Sequence, residues 1–141
     1  MSMYEHTYRV FKSSWGISIK ITAEITTVGN CDEDSKYDKI CDGLMAGYAS
    51  KPLVDGEKFL EEDKIFLWEG LKRVGDLIVN TSPYKADTLI IIHSLVFSLC
   101  DFQEEGLTAA IIEWAANACG FQAPIINVSF NKELNKYEFK Y

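Results

Sequence analysis

The chain has 141 residues, 48% hydrophobic and 13% aromatic, and a formal net charge of −7. That length is one domain, residues 1–141, able to bury roughly 68–70% of its unfolded surface and so to build a core without metal or disulfide staples. The composition speaks against a disordered chain, the lack of any apolar run of about 18 residues against a membrane partner, and the acidity against nucleic acid, whose phosphates require Lys and Arg.

The first stretch, "MSMYEHTYRV", is polar and charged and has no signal-peptide core, so a cytoplasmic protein with reduced thiols is expected. Residues 4–12 read as a strand with Tyr4, His6, Tyr8 and Val10 on one side. Residues 15–25 alternate, with Trp15, Ile17, Ile19, Ile21, Ala23 and Ile25 opposed to Ser18, Lys20, Thr22 and Glu24. The pair predicts an antiparallel hairpin with one wet face. From Ser35 the period changes. Tyr37, Ile40, Cys41, Leu44, Met45 and Tyr48 follow the spacing of a helix with one apolar stripe, capped by Asp34 or Ser35 and ended by "SKP".

A second helix is predicted from about residue 57 or 62 to 79, burying Phe59, Phe66, Leu67, Leu71, Val74, Leu77 and Ile78. Residues 88–100, "TLIIIHSLVFSLC", predict the central strand. Asp101 and Glu104 form a D-x-x-E pair like a capping box, opening a third helix with Leu107, Ala110, Ile111, Trp114, Ala115 and Ala118 in its stripe and Gly120 as its stop. Strands at 124–130 and 137–141 follow, joined by a turn at "NKELNK". The sum is an α+β fold of order ββααβαββ. Three helices cover one face of a mixed, mostly antiparallel sheet of about five strands, and residues 88–130 form a candidate parallel crossover.

No phosphate-binding glycine loop, zinc-protease motif or nucleophile elbow is present, so no catalytic residue and no cofactor are expected. The four cysteines, 31, 41, 100 and 119, have no metal-ligand spacing. In "NCDEDSKYDKICD", Asp32, Asp34 and Asp38 sit at positions 1, 3 and 7 of a calcium loop. Tyr37 stands where that loop needs Gly, and Gly43 where it needs Glu, so no metal is expected. His93 reads as a core histidine with a hydrogen-bond partner, and no motif ties His6 or His93 to a nucleophile. Glu104 and Glu105 are adjacent on one element and read as helix-start residues, not a catalytic pair. Ile65, Trp68 and Val79 fall off the second helix's stripe, near Glu61 and Lys72, as an aromatic anchor rimmed by charge would.

The acids come in blocks. Residues 30–42 carry net −3, 55–63 net −4 and 101–113 net −4, against +4 for the rest. If the fold gathers them, the surface attracts a basic macromolecule. In size, acidity and the style of "NCDEDSKYDKICD", "EKFLEED" and "CDFQEEGLTAAIIEWAANACGF", the chain resembles the immunity proteins of bacterial polymorphic-toxin and contact-dependent growth-inhibition systems. The resemblance implies a cognate toxin partner with a basic surface, commonly a nuclease, neutralised by a carboxylate face. The residues predicted to form that face are Asp32, Glu33, Asp34, Asp38 and Asp42, with Glu61, Glu62 and Trp68 as alternatives. Two other functions compete: a small enzyme using His93 or His6 with a carboxylate, and a homodimer or larger homo-oligomer joined through Ala109, Ile112 and Ala116 of the third helix.

Overall fold

The computed structural model describes residues 2–30, 37–97 and 102–141. Strands β1 (Ser2–Phe11) and β2 (Gly16–Thr26) form the expected hairpin, pairing antiparallel from Ser2 opposite Ile25 to Phe11 opposite Gly16. The alternation of β2 works as anticipated. Ile17, Ile19, Ile21, Ala23 and Ile25 are buried in one core with residues of all three helices.

The predicted helix at 35–49 is corrected. Residues 38–48 are instead a hairpin, β3 (Asp38–Cys41) and β4 (Leu44–Tyr48), in which Cys41 pairs with Leu44 around Asp42 and Gly43. The stripe Ile40, Leu44, Tyr48 fits a helix by spacing, but Asp-Gly is a strong hairpin signal when strand-like residues flank it. Gly43 takes φ +86°, the left-handed conformation that glycine adopts without strain. Asp34 and Ser35, the predicted caps, lie outside the described residues.

The second predicted helix breaks in two. Helix α1 (Glu61–Arg73) and helix α2 (Gly75–Thr81) meet at Val74, whose φ −116° and ψ 17° leave the helical region. Leu67, Leu71, Val74 and Ile78 are buried as expected, whereas Leu77 is exposed. The break lets α2 come close to β3, since a β-carbon on Gly75 would sit 2.5 Å from Cys41 Sγ.

Strand β5 (Thr88–Phe97) is central. The sheet order is β1-β2-β5-β4-β3, with β2–β5 antiparallel and β4–β5 parallel. The sheet is therefore five-stranded, mixed and mostly antiparallel in an α+β fold with three helices, as anticipated. The order ββααβαββ is found with one added hairpin before the helices. Beyond the end of β4 the loop takes over along β5: Ala49 N–H donates to Ile92 O (2.9 Å), Leu53 N–H to His93 O (3.0 Å), and the Glu57 carboxylate accepts from Leu95 N–H and from Ser94 Oγ (3.1 Å).

Helix α3 (Gly106–Cys119) starts at Gly106, later than the capping-box reading placed it. Glu105 is its N-cap without a side-chain cap bond, and Asp101 lies outside the described residues. Gly120 ends it in the left-handed conformation, φ +82°, as expected. Ala109, Ile112 and Ala116, the predicted oligomer face, are 0%, 0% and 7% exposed, and that expectation is corrected. The helix lies between β1 and β2 on one side and α1 and α2 on the other, and the residues it leaves open include the polar Glu113 and Asn117.

The last two strands do not join the main sheet. β6 (Asn127–Asn131) and β7 (Lys136–Lys140) form a sheet of their own, so the segment 88–130 is not a crossover within one sheet. That hairpin is docked by Gln103, whose amide binds both backbone groups of Tyr137 (2.6 and 2.7 Å), and by the Tyr137 hydroxyl, which donates to Trp15 O (2.6 Å) and accepts from Lys12 N–H (2.9 Å). No helix among the described residues is long and apolar enough to cross a membrane.

Candidate functional site

Helix α1 opens with three acids, Glu61, Glu62 and Asp63, at its positive end, where carboxylates are favoured. It packs beside edge strand β3, and the two elements bring three of the predicted site residues together. The Trp68 indole Nε1–H donates to Asp38 Oδ2 at 2.8 Å. Lys64 Nζ lies 3.7 Å from the same oxygen and 3.2 Å from Glu61 Oε1. Beneath them, Lys64 stands 5.2 Å from the centre of the Tyr48 ring, and Tyr48 stacks on Phe59 at 4.5 Å. The Tyr48 hydroxyl donates to Leu60 O at 3.1 Å. Trp68 is thus held by a hydrogen bond at its polar end and by rings behind, which is how a rigid contact residue is prepared.

Asp42 sits apart at the β3–β4 turn, paired with Lys39 at 3.2 Å. Glu62 is exposed on α1. Asp32, Glu33 and Asp34 lie outside the described residues. The face is less purely negative than its sequence suggests, because Lys64 sits between Asp38 and Glu61 and Lys39 beside Asp42. Lys39 and Lys72 also line, with Ile40, Ile65, Trp68 and Glu69, a cleft of about 240 Å³ between β3 and α1. Ile65, at 71% exposure, is the outermost apolar side chain there.

The electrostatics at the start of α1 show where acids do converge. Asp63 is buried, and its carboxyl is raised above the usual carboxylate value, first by burial and then by the charges of Glu62 and Glu104. Burial, followed by the charges of Asp63 and Glu61, raises the Tyr48 phenol as well. The charge of Glu104, from the 101–113 block, thus acts on Asp63 of the 55–63 block. Two other acids of the third block pair elsewhere: Glu105 with Lys136 at 3.8 Å and Glu113 with His6 at 3.0 Å.

Both histidines have carboxylate partners. His6 Nε2–H donates to Glu113 Oε1 (3.0 Å), and its Nδ1 accepts from the Asn117 amide (2.8 Å). Both ring nitrogens of His6 are thus engaged within the protein. In the β2–β5 pairing Thr22 is opposite Ser94 and Ala23 opposite Ile92, so His93 is the extra residue of a bulge. Its Nε2 lies 2.9 Å from Oε2 of the buried Glu24. Five clefts of about 240–400 Å³ open on the described surface, and His93 lines none of these five. His93 has the hydrogen-bond partner that its place in an apolar strand requires. Among the described residues, no three His, Cys, Asp or Glu side chains are grouped to hold an ion.

Lys64, Tyr48 and Phe59 complete the site, and sequence reasoning missed all three. The Glu61/Lys64 spacing of three was the available signal for Lys64. Tyr48 and Phe59 had none, because their stacking follows from a hairpin whose apolar spacing suits a helix. No family model, curated protein or solved structure matches the chain.

Proposed function

We propose that the protein binds and neutralises a cognate bacterial toxin with a basic surface, commonly a nuclease domain, through the α1–β3 surface. The observation that carries this reading is the fixed Trp68 indole, bonded to Asp38, which Lys64 links to Glu61. A preorganised aromatic beside carboxylates joins the two things a tight interface uses. Long-range attraction speeds encounter, and an anchor ordered beforehand slows release. Lys64 keeps Asp38 and Glu61 at close range in the free protein, and cationic groups of the toxin compete for the same oxygens on binding. Asp42, at the β3–β4 turn, forms the far end of the proposed face.

Growth rescue tests the reading. A basic toxin domain encoded next to this chain's gene is expressed in a bacterial host with and without the protein. Rescue is expected with the native chain. It is expected to fail when Asp38, Asp42, Glu61 and Glu62 are all changed to Lys. In vitro, Trp68→Ala is expected to weaken the complex by about 2 kcal/mol or more, the range of interface anchors. Affinity of the native pair is expected to fall as salt rises, and less steeply for the charge-reversed variant. Growth arrest that the native chain does not relieve would sink the proposal.

A further inference from the structure

Among the described residues, strand β1 is an edge of the main sheet and pairs with β2 alone. It runs for ten residues in unbroken register, with no bulge and no proline. The opposite edge, β3, has four residues and a register shift. Long regular edges invite a further strand, and short or bulged ones discourage it. Along β1, Met3, Tyr4 and Phe11 are 40%, 38% and 76% exposed. The buried Trp114 indole occupies one backbone carbonyl, Tyr4 O. Residues 126–128 stand across an open groove from residues 9–12, and no backbone hydrogen bond joins the two segments.

We infer that β1 pairs antiparallel with β1 of a second copy, about a two-fold axis through Thr7, joining two five-stranded sheets into one. The charges select the occupant and the register. Glu5 and Arg9 are placed symmetrically about Thr7. Centring the pair there sets Glu5 opposite Arg9 of the partner subunit, and does so twice. The same register sets Met3 opposite Phe11 of the partner subunit and Tyr4 opposite Val10 of the partner subunit. Residues directly opposite share a face and interact, favourably when their charges are opposite. Antiparallel register changes in steps of two residues. One step either way sets Arg9 against Met3 or Glu5 against Phe11, so only the Thr7-centred register matches the charges. Arg9 forms no ion pair among the described residues, whereas Glu5 lies 3.4 Å from Lys20 and would sit between two cations in the dimer. A closed two-fold pairing also removes the exposed edge.

Sedimentation velocity of the full chain over a concentration series tests this. A species of twice 16.0 kDa is expected to grow in with concentration. Arg9→Glu, which sets like charges opposite each other, is expected to weaken dimerisation about ten-fold or more, and adding Glu5→Arg to restore most of the loss. Thr7→Cys is expected to link to itself across the axis with a short bis-maleimide, mapped by peptide mass spectrometry to distinguish it from the native cysteines. A monomer at every concentration, a dimer indifferent to Arg9→Glu, or a Cys at position 7 that does not self-link would each overturn the inference. Should Arg9→Glu fail to fold by circular dichroism, the Thr7→Cys link decides.

Discussion

Asp63 is a carboxyl in the wrong medium. It sits in the first turn of α1, where the helix dipole favours a negative charge, yet burial and then the charges of Glu62 and Glu104 raise its pKa above the ordinary 3.8. The folded state therefore holds more protons than the unfolded chain between 3.8 and the raised native value. Stability falls as pH rises through that window, and the whole penalty is present above it. Asp63→Asn removes the titration, so the variant is expected to melt higher than the native protein at pH 7 and to lose that advantage at about pH 3. Equal melting temperatures at pH 7 would show that the favourable helix-end position cancels the burial. The thiols obey the same rule. Cys41 is raised by burial and then by Asp76 and Asp42, and Cys119 by burial. Since the thiolate is the reactive form, both are expected to alkylate more slowly with iodoacetamide at pH 7 than a model thiol, followed by mass spectrometry.

At the scale of elements, the crossing of α1 and α3 depends on Gly70. A β-carbon there would lie 2.4 Å from Ile111 Cγ2 and 2.7 Å from Thr108 O, so the helices approach closer than any other residue permits. The Thr108 hydroxyl, buried at this crossing, donates to Phe66 O at 2.8 Å and ties the helices together. Gly70→Ala gains helix propensity, worth about 1 kcal/mol, but forces backbone apart. The net expectation is a loss of about 1–3 kcal/mol in urea unfolding, with little change in m-value. A stabilised variant would mean that the crossing relaxes freely. The docking of β6–β7 uses another device, the Gln103 amide standing in for a neighbouring strand along β7. The same element that failed as a crossover thus succeeds as a separate hairpin, because side chains supply the bonds a third strand would have made.

For the whole molecule, charge and edges point outward in different directions. The acids of α1 and β3 lie at one edge of the sheet, and the proposed self-pairing strand β1 forms the other. A toxin and a second copy would then occupy opposite edges, and a dimer would carry two separate toxin surfaces. Salt dependence separates the two contacts. The proposed toxin complex would draw on exposed carboxylates throughout, while the proposed dimer would draw on one charge pair per half and on backbone bonds that salt does not screen.

What local pattern determines, the chain displays openly. The alternation of β2, the apolar run of β5, the stripe of α3 and its Gly120 stop each follow from a period or a backbone preference that needs no distant partner, and with them comes the α+β class. Tertiary structure decided the rest. Ile40, Leu44 and Tyr48 suit a helix by spacing, but β5 needs a parallel neighbour, and the Asp42–Gly43 turn lets residues 38–48 provide one. The site divides the same way. That Asp38, Glu61 and Trp68 are chemically suited to a contact surface is legible in their residue types, whereas their meeting around Lys64 is not. It depends on a strand and a helix some thirty positions apart being packed side by side, and sequence spacing carries no information about that contact.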